Sequence, residues 1–171
     1  MINEVIRNSI RFFFLLLFQV LILNNIQLSG YLNPFLYVLF ILMLPFQTPN
    51  WLVLVLAFVF GISIDMFPDT GGLHAASSVL MGFLRQPILK LISPHDGYDV
   101  VQKPTIQQFG LGWFLSYAGI LVFVHHGFLF YMEIFHFSDF FSTFFRVILS
   151  SLFTLTLILI SQFFFSNSRS Q

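Results

Sequence analysis

The sequence predicts an all-α integral membrane protein with about six transmembrane helices and almost no soluble domain. Three observations carry that reading. Of 171 residues, 57% are apolar and 8% charged, whereas a soluble globular domain carries about 25% charged residues. The apolar residues fall in long runs between short polar breaks, without the alternation of a barrel strand. A bilayer core of about 30 Å needs about 20 apolar residues per helix, so six spans use most of the chain. The 26 Phe suit a lipid environment, where no water penalises exposed rings.

The spans are read at 12–28, 31–44, 51–64, 73–92, 109–130 and 140–165, in one membrane domain covering 1–171. Arg7 and Arg11 before the first run resemble the start of a signal peptide. The run passes into Asn24, Asn25 and Gln27 with no small-x-small cleavage site, so an uncleaved first helix is expected. Asn33-Pro34 opens the second span, with Pro34 at a first-turn position that needs no N–H. The stretch Leu44-Pro45-Phe46-Gln47-Thr48-Pro49-Asn50 cannot continue a helix and ends it. Pro68-Asp69-Thr70-Gly71-Gly72 separates the third span from the fourth. Arg85, Pro87 and Lys90 interrupt the fourth, with the two cations expected to snorkel to an interface or Pro87 to begin a short interfacial helix. The polar stretch 93–108 divides four spans from two, and a short polar tail follows the sixth.

Orientation follows from the basic residues. With the N-terminus inside, Arg7, Arg11, Arg85, Lys90, Lys103 and Arg169 all fall on the cytoplasmic side, and only Arg146 falls outside. Both termini are therefore expected in the cytoplasm. Seven basic residues balance seven acidic ones, which gives no electrostatic case for nucleic-acid binding. Without cysteine there is no disulfide, thiolate nucleophile or Cys-based metal site.

The most informative residues surround the third break. Gly61 and Asp65 are four apart and share a helical face, where Gly61 admits a close neighbour that Asp65 then meets. An acid beside the bilayer core is costly unless paired or hydrated, which marks it as functional. The plainer reading, a structural residue that caps the turn, carries more weight. Its acceptors suit the N–H groups of Asp69, Thr70, Gly71 and Gly72, or the N-terminus of the fourth helix. On that reading Asn, which keeps an acceptor and the shape, serves nearly as well. The fourth helix begins with the small residues Gly72, Ala75, Ala76, Ser77, Ser78 and Gly82, and Ser78-x-x-x-Gly82 permits tight packing in lipid. Gly112, Ser116 and Gly119 offer the same on the fifth. These positions are the candidate packing or partner contacts.

Other constellations are weaker. Glu133-x-x-His136 could supply two metal ligands on one helix face, but it occurs once. Together with adjacent His125 and His126 among many Phe, it reads as an interfacial segment with imidazoles at headgroup depth. Ser77, His74 and Asp69 match no hydrolase spacing, and no phosphate-binding Gly loop or HExxH occurs. No catalytic, cofactor or metal site is expected.

Gly61-x-x-x-Asp65 followed by Gly72-Leu73-His74-Ala75 resembles the signature of MreD, the bacterial rod-shape-determining membrane protein. The resemblance extends to Asn33-Pro34, Leu44-Pro45-Phe46-Gln47-Thr48-Pro49 and Ser93-Pro94-His95-Asp96-Gly97-Tyr98, and covers about residues 24–99. The last two spans match mainly in hydropathy. The resemblance implies a non-enzymatic subunit of the cell-elongation machinery, partnered by an MreC-like bitopic protein. Around that pair it implies MreB, RodA and the transpeptidase partner of RodA. The family is also similar, in helix count and Gly-x-x-x-Asp pattern, to substrate-binding subunits of energy-coupling-factor transporters. That analogy supports a six-helix fold without transferring transport.

Three functions therefore compete: a scaffold that binds other membrane proteins, a small-molecule-binding subunit or transporter with Asn24, Asn25, Asp65 and His74 as its few polar candidates, and a membrane enzyme, for which the sequence barely supplies clustered ionisable residues. For topology, a Gly97→Cys variant in intact cells is expected to escape an impermeant thiol reagent, while a Cys replacing Asp69 is labelled. Strong labelling at position 97 overturns the orientation.

Overall fold

A computed structural model of the chain describes residues 2–26, 32–95, 97–99, 102–134 and 139–166. Tyr31, His136, Arg169 and the end of the expected first span lie outside the described residues. The described residues are all-helical and form no β-strand. The helices are α1 (Ile2–Leu21), α2 (Leu39–Leu42), α3 (Asn50–Asp65), α4 (Leu73–Leu91), α5 (Ile106–Ile134) and α6 (Phe140–Ser166). Short 3-10 turns at Leu23–Asn25 and Leu36–Val38 follow α1 and lead into α2.

Three stretches are long and apolar enough to cross a membrane: Ile6–Asn25, Ile106–Ile134 and Phe140–Phe163. The 16 residues of α3 are apolar but span only about 24 Å at about 1.5 Å per residue. The helix α4 runs through Pro87, whose missing N–H leaves the Phe83 carbonyl without its intrahelical donor. Pro87 therefore does not start a separate interfacial helix. In α5, Gly110 takes φ 81° and ψ 166°, which detaches the first turn from the rest. That backbone conformation favours glycine.

The second expected span is not one continuous helix. Residues 36–42 make one 3-10 turn and one α-turn, roughly 12 Å of helix. Every residue from 34 to 44 is buried. Hydropathy alone does not distinguish a lipid-facing helix from a short core segment, and the prolines at 34 and 45 limit the helix from both sides. The surrounding helices wrap this segment, with the Phe12 ring of α1 set edge-on against Phe40 and Phe60 at 5.4 and 4.5 Å.

A short helix in an apolar core leaves backbone donors and acceptors bare at both ends. Side chains from four helices satisfy them. At the first end, Asn33 N donates to Ser150 Oγ (3.1 Å) and Phe35 N to Thr154 Oγ1 (3.0 Å). Gln19 Nε2 donates to Pro34 O (3.0 Å), and Gln19 Oε1 accepts from Tyr37 N (3.3 Å). At the other end, Tyr117 Oη donates to Leu42 O (3.0 Å) and Arg11 to Met43 O (3.3 Å). Arg85 Nη2 donates to Leu44 O and, at 3.4 Å, to Pro45 O.

Arg85 is thus a correction to the snorkelling expectation: it is fully buried, with its Nε donating to Tyr117 Oη (2.9 Å). The loop beyond α4 folds back through a turn in which Gly97 N donates to Pro94 O (3.0 Å). Tyr98 Oη then donates to Leu89 O (2.8 Å) and Trp113 Nε1 to Ile92 O (3.1 Å), which caps the last carbonyls of α4.

Polarity is inverted relative to a water-soluble fold. Gln19, Arg85, His125, His126 and Thr154 are fully buried, while Phe13, Phe141, Phe145 and Phe163 are more than 60% exposed. Replacing Gln19 with Leu strips partners from both Pro34 O and Tyr37 N. An unpaired buried polar group costs about 1–3 kcal/mol. Gln19→Leu is therefore expected to lower the unfolding midpoint in detergent clearly more than Gln162→Leu, because among the described residues Gln162 donates only to the Met43 sulfur. Equal midpoints would contradict the capping role.

Candidate functional site

The interface between α3 and α4 is built around the Gly61–Asp65 face. A Cβ on Gly61 would lie 2.6 Å from His74 O and 2.7 Å from Ala75 N, and nearer still to the Ala75 Cα. Only glycine fits there. One turn later, Asp65 Oδ1 accepts from His74 N (3.0 Å) and Oδ2 from Ala75 N (2.8 Å), with the Thr70 hydroxyl also donating to Oδ1. The carboxylate therefore caps the second and third N–H groups of α4, where the helix dipole favours negative charge. The turn contributes the Thr70 hydroxyl and not the amides of residues 69–72.

Gly72 sits at the N-cap with φ 93°, a conformation that favours glycine, and Ala75 and Ser78 are buried. Further along, a Cβ on Gly82 would meet the Ala57 Cβ at 3.3 Å and Val53 Cγ1 at 3.4 Å. These small residues hold α3 and α4 as a close-packed hairpin. The α5 set behaves differently. Gly112 and Ser116 are exposed, Gly119 is half-buried, and a Cβ on either glycine meets nothing within 4 Å. Neither glycine admits a close neighbour among the described residues, and the Ser116 hydroxyl donates back to Gly112 O (3.0 Å).

A second cluster went unrecognised in the sequence. His125 and His126 are both fully buried, so their rings are packed inside the protein and not exposed as the sequence suggested. Tyr37 Oη lies 2.7 Å from His125 Nε2 and 3.0 Å from His74 Nδ1. His126 Nδ1 lies 2.9 Å from Val122 O, and its Nε2 lies 3.1 Å from Thr154 Oγ1. A carbonyl only accepts, so for a neutral ring the proton of His126 is on Nδ1 and Thr154 donates to Nε2.

Tyr37 and the other two rings follow the same logic. His125 Nδ1 is buried with no partner among the described residues, and a bare lone pair there costs less than an unpaired N–H. The proton of neutral His125 then sits on Nε2 and is donated to Tyr37 Oη, and Tyr37 donates to His74 Nδ1. The His74 proton is left on Nε2. Ser77 and Asp69 take no part: the Ser77 hydroxyl bonds back to Leu73 O, and Asp69 is exposed with φ 54°.

His74 also borders a cavity of about 260 Å³, with Asn24, Asn33, Thr70, Glu133 and Arg146 among its lining residues. Of the four polar candidates, Asn24 and His74 reach it. Asp65 is engaged with α4, and Asn25 donates to Leu21 O (2.9 Å). Arg146 Nη1 meets Glu133 Oε2 at 3.1 Å, and the guanidinium carbon lies 4.2 Å from the centre of the Phe130 ring. With its amide oxygen toward the guanidinium, Asn33 accepts from Arg146 Nη2 (2.6 Å) and donates to Leu32 O (3.3 Å). Among the described residues, no three metal-ligating side chains of the His, Cys, Asp or Glu type gather at one point. Neither a protein-family model, nor a curated protein, nor a solved structure matches this chain.

The clamp predicts an order of variants. Gly61→Leu is expected to abolish the close hairpin, whereas Ile62→Leu leaves it intact. Both Asp65 oxygens are occupied, so Asp65→Asn turns an amide N–H2 against one backbone donor. The expected loss is about 1–3 kcal/mol for that variant, with Asp65→Leu worse than Asn. Stability and membrane level measured side by side check the series, and an Asp65→Asn protein as stable as wild type contradicts it.

Proposed function

We propose that this chain is a non-catalytic scaffold subunit of the bacterial cell-elongation complex, resembling MreD. In this reading it is a multi-pass protein of the cytoplasmic membrane with both termini inside. It binds an MreC-like bitopic protein and, through that pair, joins RodA, its transpeptidase partner and MreB.

The observation that carries the reading is an apolar groove of about 580 Å³ along the α3–α4 hairpin. Leu54, Phe58 and Ile62 line one side, and Ala76, Val79 and Phe83 the other. Its floor is small because Gly61 brings the two helices together, and small-residue faces are the surfaces on which helices associate in lipid. A single transmembrane helix of a bitopic partner suits such a groove. The outward Gly112–Ser116 face of α5 offers a second contact of the same kind. The orientation rests on the basic residues. Arg11 and Arg85 both bind carbonyls within 43–45 at one end of the bundle, whereas Arg146 lies at the other with Glu133 and Asn33.

The alternative, a small-molecule-binding subunit of the energy-coupling-factor type, is favoured by the polar cavity beside His74. Mild-detergent purification separates the two: a bitopic protein that co-purifies supports the scaffold, and a retained small ligand without a protein partner supports the alternative.

Depletion in a rod-shaped host is expected to give round or swollen cells. An Ala76→Trp variant, which fills the groove from an exposed position, is expected to lose the bitopic partner while keeping its own thermal stability. Normal rods after clean depletion, or full partner recovery with Ala76→Trp, counts against the scaffold.

A further inference from the structure

The cavity beside His74 has hydrogen-bonding capacity that the protein does not use itself. Gln19 Oε1 accepts from Tyr37 N, so Gln19 Nε2 is the donor to Asn24 Oδ1 (2.9 Å). That fixes the Asn24 amide and leaves its N–H2 without an acceptor among the described residues. The Nε–H of Arg146 is buried with no partner among the described residues, so Arg146 lines the cavity through its other atoms. The relay from His125 through Tyr37 leaves the Nε2–H of His74 unspent, on a residue that lines the cavity. Three donor-bearing residues, Asn24, His74 and Arg146, therefore border the cavity with one carboxylate, Glu133, which pairs with Arg146 and whose side chain is 43% exposed.

This set favours a ligand of mixed charge over a simple ion. A lone anion satisfies the donors but meets Glu133 as a like charge. A lone cation meets Arg146. A molecule carrying both an oxyanion and an ammonium group meets each with its complement. A tetrahedral phosphate offers more acceptor positions to three separate donors than a planar carboxylate does. The volume of about 260 Å³ is just below the about 300–1,000 Å³ typical of drug-sized ligands, so the occupant is small.

We infer that this cavity binds an ammonium–phosphate zwitterion of the phosphoethanolamine type, with the phosphate on Arg146, Asn24 and His74 and the ammonium on Glu133. The same chemistry occurs in a lipid headgroup and in a free small molecule. The inference does not depend on the scaffold reading, since a scaffold can hold such a ligand.

The test uses the full chain purified in an uncharged detergent without added lipid. Thermal shift and native mass spectrometry follow titration with O-phosphoethanolamine, phosphocholine, methyl phosphate and ethanolamine. Only O-phosphoethanolamine is expected to stabilise and bind the wild type. Glu133→Gln, which keeps the side-chain shape, is expected to weaken that binding about tenfold or more, as one lost charge-assisted bond implies. It then no longer distinguishes O-phosphoethanolamine from methyl phosphate. In nanodiscs, selective retention of phosphatidylethanolamine over phosphatidylcholine assigns the site to a lipid headgroup. Binding of the free zwitterion without lipid selectivity assigns it to a soluble ligand. No response to either form, an equal response to phosphocholine or methyl phosphate, or a Glu133→Gln protein that binds like wild type overturns the proposal.

Discussion

The fold depends on keeping a short, irregular piece of backbone at the centre of an apolar bundle. Residues 34–44 are buried throughout, yet only seven of the residues in that stretch are helical. A long helix satisfies its own main chain, whereas this segment has almost as many bare ends as internal bonds. Each buried unpaired group costs about 1–3 kcal/mol, so several left bare would exceed the stability of a typical domain. The placement of Gln19, Ser150, Thr154, Tyr117, Arg11 and Arg85 answers that demand. Each contacts the main chain of this segment or its flanks. These side chains come from α1, α4, α5 and α6, so the helices are held in register around the segment as well as packed against it.

This arrangement accounts for the inversion of polarity. The exterior can be Phe and Leu because the polar side chains are consumed inside. It also explains why polar features collect at opposite ends of the bundle. The first end of the core segment delivers Asn33, Phe35 and Tyr37 next to His74, His126 and Arg146, where the cavity lies. The second end delivers the 42–45 carbonyls to Arg85 and Tyr117, beneath the Tyr98–Trp113 cap of α4.

The sequence made much of this legible. Continuous apolar runs and turn residues located α3, α4, α5 and α6 closely, because long periodic segments between Pro- and Gly-containing breaks leave few alternatives. The Gly61–Asp65 spacing also pointed to the right interface. Three features were not legible. Hydropathy cannot tell a continuous lipid-facing helix from a buried, largely irregular segment of similar composition, so residues 31–44 read as one helix. His125 and His126 look interfacial among their Phe neighbours, and only the positions of Tyr37, 88 residues from His125, and Thr154, 28 residues from His126, give them buried partners. Asp65 looked replaceable by Asn because the sequence cannot count the donors that reach it, whereas both oxygens accept backbone N–H groups. A signal for the histidine network did exist: a Tyr, two His and a Thr on separate apolar runs are costly in lipid unless they meet.

Asp65 and Arg85 complete the argument. Both are buried charges, and neither is neutralised by an opposite side chain among the contacts described. Asp65 meets the N–H groups that begin α4, and Arg85 meets carbonyls where the core segment ends. An opposite side chain would satisfy the charge wherever the pair happened to sit, because both partners can move together. A helix end cannot move without unwinding its own bonds, so each charge fixes where a main-chain element stops. Asp65 sets the start of α4 against α3, and Arg85 sets the end of the core segment against α4. The two anchors lie on or against the same helix, 20 positions apart from Asp65 to Arg85 in sequence. The α3–α4 hairpin and the core segment are thereby tied to one frame, and the groove along that hairpin is a surface of fixed shape.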